Sequence, residues 1–334
     1  MKTVTVADKT IGDGQPAFMI AEAGLNHNGD VQLARELVAA AADCGADAVK
    51  FQTFSTDQFI LKSSPYYDIF KSAELRDDDF VELSDYARQL GITFLSTPFD
   101  FHSVDVLDAI GVDAYKIASC DLTNSPLLEK VAAKGKPILL STGMASMGEI
   151  FRAVELINNS GNGGVAVFHC IAHYPSAYEE MNIRSIPYMA SVLDIPVGLS
   201  DHTLGIDIPT AAIALGANMI EKHFTLDKGL PGPDHQLSAT PDEFRQLVNS
   251  TRNIEKALGQ YHRVPVESDD QRTLLRRSLC ASRDLPAGTV ISAEMITIKR
   301  PGSGLPPDNF NSLLGRKLAN DIACDHQFSM EMFA

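Results

Sequence analysis

Side chains that can hold anions, move protons or ligate a metal recur at the ends of eight apolar runs in this chain: Glu22; Lys50 and Gln52; Ser96 and Thr97; Lys116 and Ser119; Ser141 and Thr142; His169; Ser200, Asp201 and His202; Lys222 and His223. Lys50 and Lys116, with the hydroxyls of Thr97, Ser119, Ser141 and Ser200, are the equipment for gripping a phosphate or carboxylate. His202 and His223 end neighbouring runs, and two imidazoles suit a divalent metal that keeps positions open for water and substrate. Glu22 would stand beside these groups as a carboxylate that orients or deprotonates a bound hydroxyl or water. The competing reading makes the lysines structural ion pairs with Glu22, Asp121 or Glu221. Convergence of polar groups at the same end of every run favours a common pocket instead.

The elements that must position these residues follow from the pattern of the runs. They begin at Phe18, Asp47, Ile92, Asp113, Pro137, Gly164, Pro196 and Asn218. Helical stretches such as VQLARELVAAAADCGA, DFVELSDYARQLG and PDEFRQLVNSTRNIEKALG separate or follow them. Short β-branched runs alternating with helices specify repeated βα units, and eight of them over about 250 residues specify a (β/α)8 TIM barrel. In that fold the active site lies at the C-terminal ends of the strands, where the residues named above sit. Residues 1–16 read as a hairpin capping the barrel floor, 17–260 as the catalytic barrel, 261–274 as a polar linker and 275–334 as a small β-rich domain punctuated by Pro and Gly. Asp30 is placed to cap the helix after the first strand.

With 334 residues and 45% hydrophobic content, the chain can bury a sizeable core. Its formal net charge of -15 argues against nucleic acid and anionic lipid as partners, so an anionic substrate must meet a local positive site. No run of about 18 apolar residues is present and the N-terminal stretch lacks a signal-peptide layout, so a cytoplasmic protein with no membrane partner is expected. Five widely spaced cysteines without a CxxC pair suit reduced thiols.

The segments IAEAGLNHNGD, AVKFQTF, YKIASCDLTNSPLLEK, KPILLSTGMAS, GLSDHT and EKHFTLDKGLPGPDH resemble the sialic acid synthase (N-acetylneuraminate synthase) family. The tail RRSLCASRDLPAGTVI…KRPGSGL is similar to that family's C-terminal module, a SAF domain of the type III antifreeze kind. The resemblance implies condensation of phosphoenolpyruvate with an N-acylated hexose, typically N-acetylmannosamine, to a nine-carbon 2-keto acid and phosphate. It further implies that Lys50, Thr97, Lys116, Ser119, Ser141 and Ser200 hold phosphoenolpyruvate, and that His202 and His223 bind a divalent metal, commonly Mn2+, with Mg2+ or Co2+ as alternatives. By the same resemblance Glu22 is the key carboxylate, Gln52, Tyr174 and Asp234 contact the sugar, and Arg300 reaches the partner's active site in a domain-swapped homodimer.

Three departures from the family pattern fall on the sugar side. Ala172 stands where some members have Asn, Asp121 where some have Glu, and LKSSPYYDIFKSAEL lacks an Asn that others use on the sugar. Legionaminic and pseudaminic acid synthases share the motifs and are alternative identities. Two rivals come from other classes. A metal-dependent hydrolase on this fold needs more His or carboxylate ligands and leaves Lys50 and Lys116 without a role. A non-catalytic carbohydrate-binding protein has no use for Glu22 beside an open histidine pair.

Overall fold

A computed structural model describes residues 3–161, 163–260 and 262–334; Met1 and Lys2 of the expected hairpin, Asn162 within the expected barrel and Tyr261 of the expected linker lie outside it. The chain divides into two compact units, Met1–Gly259 and Gln260–Ala334. In the first, a short hairpin of β1 (Val4–Val6) and β2 (Lys9–Ile11) precedes eight strands: β3 (Phe18–Gly24), β4 (Ala48–Thr53), β5 (Thr93–Pro98), β6 (Tyr115–Ile117), β7 (Ile138–Ser141), β8 (Val165–Cys170), β9 (Val197–Asp201) and β10 (Met219–His223). Their order is β5-β4-β3-β10-β9-β8-β7-β6, parallel throughout, with β5 and β6 lying side by side where the nearly closed TIM barrel meets itself. The helices between them are α1 (Val31–Asp43), α2 (Thr56–Phe59), α3 (Tyr67–Ala73), α4 (Asp77–Gln89), α5 (Phe101–Ile110), α6 (Ser125–Ala132), α7 (Met147–Asn159), α8 (Ser185–Leu193), α9 (Asp207–Ala214) and α10 (Pro241–Leu258).

The strands read as unbroken apolar runs because both faces are buried. Their outer faces pack against helix stripes such as Leu37, Val38 and Ala41 of α1 and Phe244, Leu247 and Val248 of α10. Their inner faces, with Phe18, Ile20, Leu95, Leu139, Phe168 and Met219, pack with Val4, Val6 and Ile11 of the hairpin, which plugs the floor. Helix ends are set by their caps: Asp30 accepts from the backbone of Gln32 and Leu33, and Thr240 and Glu243 form a capping box at α10. No described helix is long and apolar enough to cross a membrane.

Two local expectations differ from the structure. The strand expected from Asp113 is only Tyr115–Ile117, since Ala118 leads into a 3-10 turn, so Ser119 sits on a turn. The segment expected as linker contains α11 (Asp269–Leu275), capped by Ser268 and Gln271. The second unit carries the antiparallel pair β11 (Ser278–Ala281) and β12 (Ile296–Lys299) and a short α12 (Phe310–Leu313), around a core that includes Leu279, Leu285, Ile291, Leu318 and Phe328.

Candidate active site

Residues at the strand ends obey the period of two, which decides which of them meet. On β10, Glu221 and His223 face a cavity of about 470 Å³ while Lys222 points away from it. On β9 and the loop after it, Ser200 and His202 face the cavity and Asp201 points away, to pair with Lys222 at 2.6 Å. The same rule removes other strand-end candidates. Ser96 bonds Thr53, Thr142 donates to the Phe168 carbonyl, and His169 lies against the Met181 carbonyl. What remains is a single convergence at the C-terminal mouth: Glu22, Lys50, Gln52, Thr97, Lys116 and Ser119, with Ser141, Tyr174, Ser200, His202, His223 and Asp234, all line that one cavity.

At the bottom of the cavity the lysines are not bare. Lys50 lies 2.7 Å from Glu22 and 3.7 Å from Glu221, and Lys116 lies 3.3 Å from Glu221. Asp121 takes no part, since its carboxylate is held by Asn124 on its own turn. Ser200 donates to Glu221 at 2.8 Å and Lys50 donates to Thr97 at 3.1 Å. Ser119 accepts from the Gly143 amide at 2.9 Å, while the buried Ser141 hydroxyl has no partner among the described residues. The ion pairs and the anion cage are thus one object: two buried ammonium groups, balanced by two carboxylates, with hydroxyls around them.

Environment separates the two carboxylates. Burial raises Glu22 to about 7 against the opposing pull of Lys50. Burial also acts to raise Glu221, but Lys116 and Lys50 together outweigh it and hold the group below its ordinary range. Lys116 is lowered by burial, whereas Lys50, with Glu22 and Glu221 against it, is raised despite burial. Paired groups pushed apart in this way are the usual signature of divided acid–base roles.

Beside them the His202 and His223 rings stand 5.3 Å apart between centroids, and Tyr174 lies over His202 at 4.0 Å. His202 donates through Nδ1 to the Ile171 carbonyl at 2.7 Å, which leaves Nε2 with its lone pair. His223 Nδ1 is buried with no hydrogen-bond partner among the described residues, its nearest carboxylate there being Asp234 at 3.7 Å. Burial lowers His202 to about 4 and His223 to about 3, so both rings are neutral at physiological pH. Neutral imidazoles and an orphaned ring nitrogen fit a divalent cation. Among the described residues no group of three or more His, Cys, Asp or Glu encloses a metal, so a cation here would keep open positions. Gln52 donates to Glu22 at 3.3 Å, steadying that carboxylate.

Three features of the cavity carry no signal in the residue types alone. Glu221 is central, and its spacing of two from His223 is the clue that places it inside. The mouth is walled by Leu25, Phe59, Ile69, Phe70 and Phe99, drawn from the loops after β3 and β5 and from α2 and α3; Phe59 and Phe99 lie 4.4 Å apart and Phe70 packs edge-on to Phe59. Met144 and Tyr66 project at its rim, largely exposed. Arg300 belongs to the second unit, where it is exposed at the end of β12 beside Pro301.

The chain matches the model of the NeuB family over residues 37–263 and that of the SAF domain over residues 276–334. An uncharacterised protein of Methanocaldococcus jannaschii is 49% identical over 322 residues, 96% of each chain. A Legionella pneumophila protein named N,N'-diacetyllegionaminic acid synthase is 42% identical over 334 residues, 94% of each chain. Among solved structures, an N-acetylneuraminic acid (sialic acid) synthetase from Leptospira borgpetersenii, in complex with citrate, superposes with a TM-score of 0.77 at 38% identity, covering 80% of this chain and 94% of that one. The barrel, the strand-end constellation and the second unit therefore make this chain a member of the NeuB family.

Proposed function

We propose that the protein condenses phosphoenolpyruvate with an N-acylated hexose and water to give a nine-carbon 2-keto acid and phosphate. The observation that carries the reading is the juxtaposition of a buried two-lysine, multi-hydroxyl cage with Glu22 and two neutral imidazoles in one cavity. In this reading Lys50, Lys116, Thr97, Ser119, Ser141 and Ser200 hold the phosphate and carboxylate of phosphoenolpyruvate, and the orphaned Ser141 hydroxyl gains its partner. Gln52, Tyr174 and Asp234 line the space left for the sugar.

The electron pair of the phosphoenolpyruvate double bond forms the new C–C bond from carbon 3 to the sugar aldehyde, leaving carbon 2 cationic. Water adds at carbon 2 and gives one proton to Glu22, raised to about 7, and Glu22 passes that proton to the former aldehyde oxygen, which becomes a hydroxyl. The tetrahedral carbon then expels phosphate with C–O cleavage, its hydroxyl proton leaving with the phosphate. A divalent cation, with Mn2+ the leading candidate, would be held by His202 and His223 and would supply Lewis-acid polarisation at the aldehyde.

N-acetylmannosamine is the simplest acceptor. The wall of Leu25, Phe59, Ile69, Phe70 and Phe99 favours a less hydroxylated, diacylated sugar instead, and the similarity to a relative named for a diacetylated acid supports it. Arg300 and a domain-swapped homodimer complete the proposal. The deciding experiment measures phosphate release from phosphoenolpyruvate with a panel of N-acyl and di-N-acyl sugars. Release that depends on one of them, with a nine-carbon keto acid as co-product, is expected; no release with any acceptor and any divalent metal refutes the reading.

A further inference from the structure

Asp234 reaches the cavity from a loop, 225–239, with no strand or helix to hold it, yet its neighbour His235 is fully buried. The loop is fastened to the one after β3. Asn28 Nδ2 lies 3.3 Å from His235 Nε2, and His235 Nδ1 lies 2.7 Å from the Thr225 hydroxyl, which itself donates to the Asp227 carbonyl. Since Asn28 offers a donor, His235 Nε2 accepts and Nδ1–H donates to Thr225. A second tie runs in parallel: Asn26 donates to the Phe224 carbonyl and to Ser238, both at 2.9 Å, and Ser238 donates to the Asp234 carbonyl at 2.7 Å.

The backbone is shaped for these ties. Asn28 adopts φ 52°, a left-handed conformation that Asn tolerates better than most residues. Gly232 has φ 148°, and a Cβ there would lie 2.8 Å from the His235 ring and 3.0 Å from Asn28 Oδ1, so the loop closes onto the pair only with glycine. None of these residues except Asp234 lines the cavity, and among the described residues the Asp234 carboxylate makes no hydrogen bond to the loop that carries it.

We infer that Asn28 and His235 form a latch between the first and last βα loops, a pair of positioning residues that holds Asp234 beside His223 for the acceptor sugar. The substrate half of this inference rests on the function proposed above. The anion cage, built on β4, β5, β6, β7 and β9, does not depend on the latch. The latch therefore governs acceptor recognition separately from phosphoenolpyruvate.

The test uses Asn28→Gly in the full chain, which keeps the left-handed backbone while removing the amide, with His235→Gln as the conservative variant that retains a side-chain amide. Hydrogen–deuterium exchange over 225–239 reads the latch without any substrate, and steady-state kinetics reads its use. In Asn28→Gly, exchange in that segment and the acceptor KM should each rise on the order of five- to tenfold, the scale of one lost hydrogen bond, with the phosphoenolpyruvate KM unchanged. His235→Gln should raise both by less. Unchanged exchange overturns the latch. Faster exchange with an unchanged acceptor KM, or an equal loss on both substrates, overturns its role in acceptor recognition while leaving the condensation standing. Absence of turnover in the wild-type protein overturns the proposed function and that role with it, and exchange still decides the latch.

Discussion

Replacing Glu221 by Gln tests the charge arithmetic at the bottom of the cavity. The native floor holds two ammonium groups and two carboxylates, with Glu221 3.3 Å from Lys116 and 3.7 Å from Lys50. At these separations and an effective dielectric near 20, each attraction is about 4.5–5 kcal/mol before desolvation. Orphaning one partner of such a buried pair costs about 3–5 kcal/mol, since the remaining charge has no water to return to. For a unit of this size that is a fall in Tm of about 6–20 °C. The same substitution removes a competitor for the lysines, so the variant should bind inorganic phosphate more tightly, on the order of tenfold or about 1.4 kcal/mol. Scanning calorimetry with and without phosphate, with titration calorimetry for affinity, gives both quantities. The expected pattern is a destabilised protein whose Tm rises more steeply with phosphate than the wild type's. Ser200→Ala, which removes the hydroxyl donated to Glu221 and with it one donor of the cage, should lower Tm slightly and weaken phosphate binding, opposite in sign to Glu221→Gln. A wild-type Tm together with an unchanged phosphate response in Glu221→Gln would refute the view that Glu221 and an incoming anion share the same lysines.

Other consequences can be measured alongside. Activity should rise with pH through about 7 as Glu22 ionises, and Glu22→Gln should lose turnover and that limb while keeping phosphoenolpyruvate affinity; a variant that chiefly binds phosphoenolpyruvate poorly would misplace Glu22. Removal of divalent metal should abolish turnover and Mn2+ should restore it, with His202→Ala and His223→Ala each unresponsive to added metal; full activity in a stripped sample sinks the metal reading. Acid should destabilise the barrel: His27, His202 and His223, lowered to about 4, 4 and 3, contribute stability above pH 6.5 that is lost as pH falls, partly opposed by Glu22, whose raised value adds stability at low pH that is lost as pH rises through about 7. The net is about 2 kcal/mol per pH unit just below 6, and a denaturation series flat from pH 7 to 5 contradicts it. Mixing inactive Glu22→Gln and Arg300→Ala proteins under subunit exchange should return roughly a quarter of native activity if Arg300 acts in the partner's site; no recovery after proven exchange removes it from that role.

The barrel and most of the cavity were legible because the strands repeat a simple code. Apolar runs of matched length, each closed by polar residues, specify parallel strands with their chemistry at one end, and His202 and His223 fall on neighbours because sequential βα units lie side by side. Three things were not legible. The lysines' partners depend on which face each carboxylate takes, so Glu221 and Asp121 were equivalent on paper; only the strand places one among the lysines and only the turn ties the other to Asn124. The apolar wall comes from the loops after β3 and β5 and from α2 and α3, and no periodicity links Leu25, Phe59, Ile69, Phe70 and Phe99. The helix α11 is a single capped stretch inside a polar segment, too short to show a face.

The alternation that sorts residues into the cavity also explains the charges it leaves out. Lys222, 2% exposed, donates to Asp201 at 2.6 Å and to the Thr203 carbonyl at 2.7 Å, two contacts that bracket His202 in sequence. Lys222 also immediately precedes His223. A slip of one residue between β9 and β10 would bring an ammonium into the cavity where an imidazole now stands and would leave Asp201 buried without its partner. The buried pair behind the sheet therefore penalises every register except the one that sets the two imidazoles 5.3 Å apart. A strand that ends in Glu221, Lys222 and His223 thus contributes a cage carboxylate, a register lock and a candidate metal-binding ring, assigned in turn to the inner, outer and inner faces.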